Sequence, residues 1–72
     1  MEPRVKIRLN GDPFELEAGR TITELLGQLE IDARRVAVEH NLLVLKRTAF
    51  DSTAIRDGDE IEIVNFVGGG TA

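Results

Sequence analysis

The 72-residue chain contains no cysteine, no tryptophan and no tyrosine, and a single histidine. Each absence closes a class of chemistry. Without a thiol there is no disulfide framework, no thiolate nucleophile and no persulfide on which the protein itself can hold sulfur. One histidine with no cysteine beside it assembles neither a zinc site nor a Cys–His pair. No apolar run approaches the length of a membrane span, and the N-terminal region alternates Arg and Lys where a signal peptide would have an apolar core. The expected location is therefore cytoplasmic, with no membrane partner. Basic residues are outnumbered, 9 Lys and Arg against 13 Asp and Glu, for a formal net charge of −4. That balance argues against nucleic-acid binding, which needs clustered cations to meet phosphates, and is compatible with a basic protein partner. A chain this short has room for one small core and none for a large enclosed active site.

What is present is strongly patterned. Val5-Lys6-Ile7-Arg8-Leu9 alternates strictly, so Val5, Ile7 and Leu9 share one face of a half-buried strand. Asn10-Gly11-Asp12-Pro13 supplies turn chemistry, and Phe14-Glu15-Leu16-Glu17 alternates again, which predicts a hairpin that Gly19 closes. Thr21-Ile22-Thr23-Glu24 has the spacing of a capping box, in which the Thr21 hydroxyl accepts from the Glu24 amide and the Glu24 side chain reaches back. Ile22, Leu25, Leu26 and Leu29 then fall on one stripe of a helix. Gly27 inside it costs roughly 1 kcal/mol relative to Ala; either a close approach or simple tolerance accounts for it. Val36-Ala37-Val38-Glu39 reads as a short strand, His40-Asn41 as a turn, and Leu42 to Leu45 as a second short strand. Lys46 to Ala54 is irregular with room for one helical turn. Asp57-Gly58-Asp59 is a tight turn that launches the last strand, Glu60-Ile61-Glu62-Ile63-Val64.

A single helix buries its stripe only against a sheet, and a sheet of this size has one face to offer. The expected fold is α+β, a β-grasp with a mixed sheet of four to five strands on one helix, its first and last strands parallel neighbours at the centre. Residues 1–66 form the domain and residues 67–72 a flexible glycine-rich tail. Parity points Ile61 and Ile63 at the helix and leaves Glu60, Glu62, Val64 and Phe66 on the open face, with Arg4, Lys6 and Arg8 beside them. The two charge series are expected to interdigitate across the strands. Val64 and Phe66 do not fit that polar face; they form a patch for a partner to cover, or Phe66 folds back over the sheet edge as core.

Thirteen carboxylates invite acid–base or metal proposals, but those at Glu15 and Glu17 line a strand's solvated side and the rest fall on turns and helix surfaces. Asp57-Gly58-Asp59 with Glu60 and Glu62 lacks the ligand spacing of a calcium loop. Gly68-Gly69-Gly70 is no phosphate loop, because no helix follows to receive an anion. No metal and no catalytic residue are expected. The glycines instead make a backbone thread without side chains, narrow enough for another protein's channel, or simply a frayed end.

Taken together, Leu9-Asn10-Gly11, Thr21-Ile22-Thr23-Glu24-Leu25-Leu26, Val36-Ala37-Val38-Glu39-His40-Asn41 and the run from Asp57-Gly58-Asp59 through Phe66-Val67-Gly68-Gly69-Gly70 resemble the ThiS-type sulfur carriers of thiamine biosynthesis. These belong to the ThiS/MoaD-like, ubiquitin-like β-grasp group. The resemblance covers nearly the whole chain and implies a protein co-substrate, not an enzyme. An E1-like adenylyltransferase of ThiF type would adenylate the terminal glycine with ATP, no cofactor being bound by the carrier itself. A sulfur-donor protein carrying a persulfide would convert the glycine to a thiocarboxylate, and a thiazole synthase of ThiG type would take the sulfur into the thiazole ring. Carried over by position, the reactive residue is Gly70. Gly68 and Gly69 thread the partner's active site, and Val67 joins Val64 and Phe66 at the docking root. Two departures stand out. Family members end at the glycine matching Gly70, whereas Thr71 and Ala72 follow here, so a peptidase removing Thr71-Ala72 is expected. Leu45-Lys46-Arg47 also lacks a proline common before the basic residue. Relatives of the same fold and tail serve molybdopterin, cysteine or tRNA thiolation, or modify proteins as ubiquitin does, and these remain alternatives.

Overall fold

The computed structural model describes residues 3–66. Strand β1 (Arg4–Leu9) and strand β2 (Asp12–Glu17) pair antiparallel from Arg4↔Glu17 to Leu9↔Asp12. Their two-residue turn, Asn10-Gly11, has φ of +52° and +86°, the left-handed pair that a primed hairpin turn needs and that Asn and Gly tolerate. Pro13 lies in β2, an edge strand of the sheet, where its missing N–H is tolerated.

Helix α1 (Ile22–Gln28) begins with both halves of the capping box in place: the Glu24 amide donates to Thr21 Oγ1 at 3.2 Å and the Thr21 amide to Glu24 Oε1 at 2.9 Å. Ile22, Leu25 and Leu26 are buried and Leu29 packs at the margin, so the stripe read from spacing is the stripe that faces the sheet. Gly27 settles differently from a close approach. A Cβ there would meet nothing within 4 Å.

Strand β3 (Val36–His40) and strand β4 (Leu43–Leu45) flank a turn at Asn41-Leu42, and strand β5 (Glu60–Asn65) completes a sheet of order β2-β1-β5-β3-β4. β5 runs parallel to β1 (Arg8↔Glu60, Leu9↔Ile61) and antiparallel to β3 (Val36↔Asn65 to His40↔Ile61). This is the β-grasp arrangement, with first and last strands paired at the centre. His40 is therefore not a turn residue. It ends β3, opposite Ile61 on one side and Leu43 on the other, and its ring is engaged in a hydrogen bond that local sequence does not reveal.

The core comprises Ile7, Leu16, Ile22, Leu25, Leu26, Val36, Val38, Phe50, Ile55 and Ile61. Phe50 comes from the irregular stretch, which contains one 3-10 turn (Arg47–Ala49), and Ile55 directly follows it. Backbone bonds pin that stretch to the start of α1: Ile22 N–H to Thr53 O, Thr23 N–H to Phe50 O, and Ile55 N–H to Arg20 O. It acts as a second lid on the helix end of the core. A further 3-10 turn, Ala33–Arg35, is capped by Asp32, whose carboxylate accepts from the Arg34 amide and guanidinium. Those bonds, the Arg34 side chain first, hold the Asp32 pKa at about 2.

Candidate functional site

Function in this chain is expected where β5 delivers residues 67–70. Of the residues assigned there from sequence, Val67, Gly68, Gly69 and Gly70 lie outside the described residues, as do Thr71 and Ala72. Val64 and Phe66 are described. Ile61 and Ile63 turn toward the helix, being buried and half-buried, while Val64 is 53% and Phe66 56% exposed on the open face. Phe66 does not fold back as core.

Three anchors hold this end of β5. The first is the β3 ladder, which reaches Asn65 and is extended by the Phe66 amide donating to Arg35 O at 3.0 Å. The second is Asn10. The β1 ladder stops at Ile61, but the Asn10 amide donates to Ile61 O at 2.9 Å, and the Asn10 side chain carries the pattern upward: Ile63 N–H donates to its Oδ1 at 2.8 Å and its Nδ2 to Ile63 O at 3.4 Å. The carboxamide thus stands in for the next peptide unit of a strand that has already turned away. Sequence reading gave Asn10 only a turn role. The signal for more was the choice of Asn, whose amide group carries the same donor and acceptor as a peptide.

The third anchor lies at the start of β5. Asp59 is 8% exposed and accepts three hydrogen bonds, from the His40 ring (2.7 Å), the Arg56 amide (2.9 Å) and Asn41 Nδ2 (3.1 Å). Asn41 in turn accepts from the Glu60 amide at 2.8 Å. Burial works to raise the Asp59 pKa, but the hydrogen bonds from the Arg56 amide, His40 and Asn41 together outweigh it and leave the carboxyl below its ordinary value. The ionised aspartate ties the last turn to the β3–β4 hairpin. His40 and Asp59 thus serve the frame of β5. Among the described residues, no group of three or more His, Asp or Glu is placed to hold a metal ion.

The open face carries more apolar surface than Val64 and Phe66 supply. In register, Ala37 sits opposite Val64, and Val44 opposite Glu39, one pair along β3. Val44 is 71% exposed, so Val44, Ala37, Val64 and Phe66 make a diagonal apolar band across β4, β3 and β5 toward the exit of the chain. Leu42 and Leu43 are also exposed, at the hairpin end. Val44 was missed in the sequence because the register of β4 on β3 was not assigned, and register alone decides which face a residue takes.

The charges arrange themselves otherwise than expected. Arg4 and Lys6 pair with Glu15 on β2, at 3.5 and 3.9 Å, whereas Arg8 lies in register beside Glu60 and donates to the Gly11 carbonyl at 3.0 Å, so the β1 and β5 charge series meet at Arg8 alone and without an ion pair. The reason is the longer pairing: β1 lies against β2 over six residue pairs but against β5 over only two. The Glu39, Glu60 and Glu62 carboxylates consequently have no ion partner among the described residues, and Glu39 stands directly opposite Glu62. The exit of β5 is an apolar band bordered by Glu39 and Glu62, with Arg8 lining the same hollow as Glu60 and Glu62.

The family model described as the ThiS family matches residues 7–70. The chain is 34% identical to the sulfur carrier protein ThiS of Bacillus subtilis over 65 residues, 89% of this chain and 98% of that protein. It is 42% identical over 67 residues, 93% of its length, to a protein of Paramagnetospirillum magneticum named thiazole synthase, and spans about 21% of that larger protein. Among solved structures, the thiamine biosynthesis protein (ThiS) of Geobacter metallireducens superposes with a TM-score of 0.81 at 40% identity, covering 92% of this chain and all of that one.

Proposed function

The chain belongs to the ThiS family, and on that premise we propose that it is a sulfur carrier for thiazole formation in thiamine biosynthesis, with the carboxyl of Gly70 as the carrying group. The observation that carries this reading is the extent of the family match, which begins in β1 and runs to Gly70. The chemistry supports it. A carboxylate ionised at neutral pH is a poor electrophile and must be activated before sulfur replaces oxygen. An E1-like adenylyltransferase joins the Gly70 carboxylate to AMP from ATP and releases pyrophosphate. The terminal sulfur of a persulfide on a donor protein then displaces AMP to form an acyl disulfide, and a second thiol cleaves its S–S bond, leaving a thiocarboxylate on Gly70 and a disulfide between the two thiols.

Nothing in the body is asked to catalyse. Its work is to present residues 67–70 from a fixed point, and the anchored end of β5 meets that requirement. Thiazole synthase as the consuming partner is supported by relatives of that name in which a stretch like this chain makes up about a fifth of the protein. The exposed Val64 and Phe66, with Val67 following them, form the docking root. Because Thr71 follows Gly70 in this sequence, its carboxyl is bound in a peptide, and activation requires cleavage after Gly70.

The test is direct. Forms ending at Gly70 and at Ala72 are incubated with the adenylating enzyme, ATP and a sulfur source, and intact mass is read. The Gly70 form gains the mass difference of sulfur for oxygen and the Ala72 form does not. If neither form gains it, the carrier reading fails; if both do, the cleavage step is unnecessary.

A further inference from the structure

Asparagine is a chemically labile residue, and the next residue decides how labile. Its side-chain carbonyl carbon is attacked by the following backbone nitrogen, and any side chain on that following residue obstructs the approach. Of the three asparagines, Asn41 precedes Leu42, Asn65 precedes Phe66, and Asn10 alone precedes a glycine. Gly11 presents no side chain, a Cβ there would meet nothing within 4 Å, and both turn residues are exposed.

The same carboxamide holds the exit end of β5. Its Oδ1 accepts from the Ile63 amide at 2.8 Å and its Nδ2 donates to Ile63 O at 3.4 Å. While these bonds are made, the side chain is tied to β5 and is not free to rotate onto the Gly11 nitrogen. Attack follows only when the Asn10–Ile63 contact opens, a local event that costs less than global unfolding.

We propose that Asn10 is a deamidation site, which its clasp on Ile63 guards and whose reaction unfastens the exit end of β5. The Gly11 nitrogen bonds to Asn10 Cγ and gives up its proton, the bond from Cγ to Nδ2 breaks, and ammonia leaves with that proton. The product is a cyclic imide. Water then adds to one of the two imide carbonyls and breaks its bond to nitrogen. Opening at Cγ leaves aspartate, and opening at the main-chain carbonyl leaves isoaspartate, whose main chain runs through the side-chain carbons. Nothing is oxidised or reduced, and solvent water is the only co-reactant.

Either product removes the anchor. Aspartate is ionised at neutral pH and has no donor, so one oxygen keeps the Ile63 amide while the other meets the Ile63 carbonyl, acceptor against acceptor. Isoaspartate adds an atom to the main chain of a two-residue turn whose φ values of +52° and +86° fit the twist of β1 and β2. Opening admits the reaction, and the reaction then keeps the end open. The inference is independent of the carrier reading, since it concerns how the last strand is held.

The experiment incubates the full chain in mildly alkaline buffer, without urea, in urea below the unfolding transition and in urea above it, beside a peptide of residues 7–13 that has no β5 to hold it. Intact mass and fragmentation follow conversion, and hydrogen-exchange NMR follows the Ile63 amide. The peptide and the unfolded chain are expected to gain the mass difference of Asp for Asn at Asn10. The folded chain should convert at least about tenfold more slowly, at a rate that rises with urea in step with Ile63 exchange. An Asn10→Asp variant should exchange Ile63 roughly tenfold faster than wild type, with Val38 unchanged; chain deamidated in urea and refolded gives a second reading of the same effect. Absence of conversion at Asn10 in the peptide and the unfolded chain overturns the site. A folded chain that converts as fast as the peptide, or independently of Ile63 exchange, overturns the guard. Wild-type exchange at Ile63 in the variant and in the refolded product overturns the consequence for β5.

Discussion

Asp59→Ala is expected to destabilise the protein more than any other single polar substitution among the described residues. The carboxylate is almost fully buried and accepts from three donors on three different segments: His40 at the end of β3, Asn41 in the hairpin turn and the Arg56 amide in the loop before β5. Hydrogen bonds to a charged acceptor contribute about 1.5–3 kcal/mol each, and partial rehydration of His40 and Asn41 recovers some of that, so the loss should be about 3 kcal/mol. A domain of this size has a total stability of about 4–11 kcal/mol, so the variant stays folded at room temperature while its Tm falls by about 12–24 °C. Asp59→Asn preserves shape and one acceptor oxygen and should lose about 1–2 kcal/mol. Urea unfolding followed by circular dichroism measures both. The pH dependence has a definite sign. The Asp59 pKa is depressed in the folded state, so its contribution is complete above the unfolded value of about 3.9 and disappears as pH falls through the lower folded value. The advantage of wild type over Asp59→Asn should therefore be full at pH 5 and shrink in strong acid. A loss under about 1 kcal/mol for Asp59→Ala, or equal losses for Ala and Asn, would refute the assignment of Asp59 as the ionised clasp of β5.

Three further substitutions test individual points of the fold. Asn10→Gly keeps the positive φ of the turn while removing both side-chain bonds to Ile63; it should cost about 1–2 kcal/mol and speed amide exchange at Ile63 more than at Ile61, which hydrogen-exchange NMR reads. Gly27→Ala adds a Cβ where nothing lies within 4 Å, and should stabilise by about 0.5–1 kcal/mol, seen as a higher urea midpoint with unchanged slope. Leu42 holds φ of +72° while 81% exposed. Leu42→Gly relieves a left-handed strain of about 1 kcal/mol and should raise Tm in a thermal melt.

The legible parts of this sequence are those in which one short window contains both the cause and the effect. Val5 to Leu9 alternates because each residue meets the sheet alone, and Thr21 with Glu24 closes a cap within one turn. Parity along β5 placed Ile61 and Ile63 inward for the same reason. What escaped was set by partners distant in sequence. Asn10 meets Ile63 across 53 positions, and His40 meets Asp59 across 19; nothing around either residue announces the other. The misplaced charge pairing has a similar origin. Opposite signs on β1 and β5 were visible, but the brevity of their ladder, two residue pairs, depends on where the first hairpin turns away. Val44 joined the apolar band only through the register of β4 on β3, which three residues of edge strand do not declare. Of the candidate site, the residues before Val67 can be placed by such register, whereas the assignment of Gly68, Gly69 and Gly70 rests on family resemblance and their lack of side chains.

If the chain is the carrier proposed above, the position of β5 bears on why so small a chemical group needs so elaborate an anchorage. A strand at the sheet's edge is held by one ladder and is the first to separate when its end is pulled. β5 lies between β1 and β3, and where β1 ends, the Asn10 carboxamide replaces it. The Phe66 amide is still bonded, to Arg35 O, at the last described residue. Engagement of residues 67–70 by a partner therefore cannot extend the reach of the chain by unzipping β5 unless bonds on both sides break together. On the carrier reading proposed above, reach is limited to the residues after Phe66, and an activating enzyme would have to bring its active site within that distance of the sheet. Recognition and chemistry are thus separated in the sequence but coupled by length. Shortening the segment by deleting Gly69 should leave docking affinity intact and abolish transfer of AMP, whereas Phe66→Ser should weaken docking while adenylation recovers at high carrier concentration. Equal loss of binding in both variants would show that the segment itself, and not the sheet face, supplies the affinity.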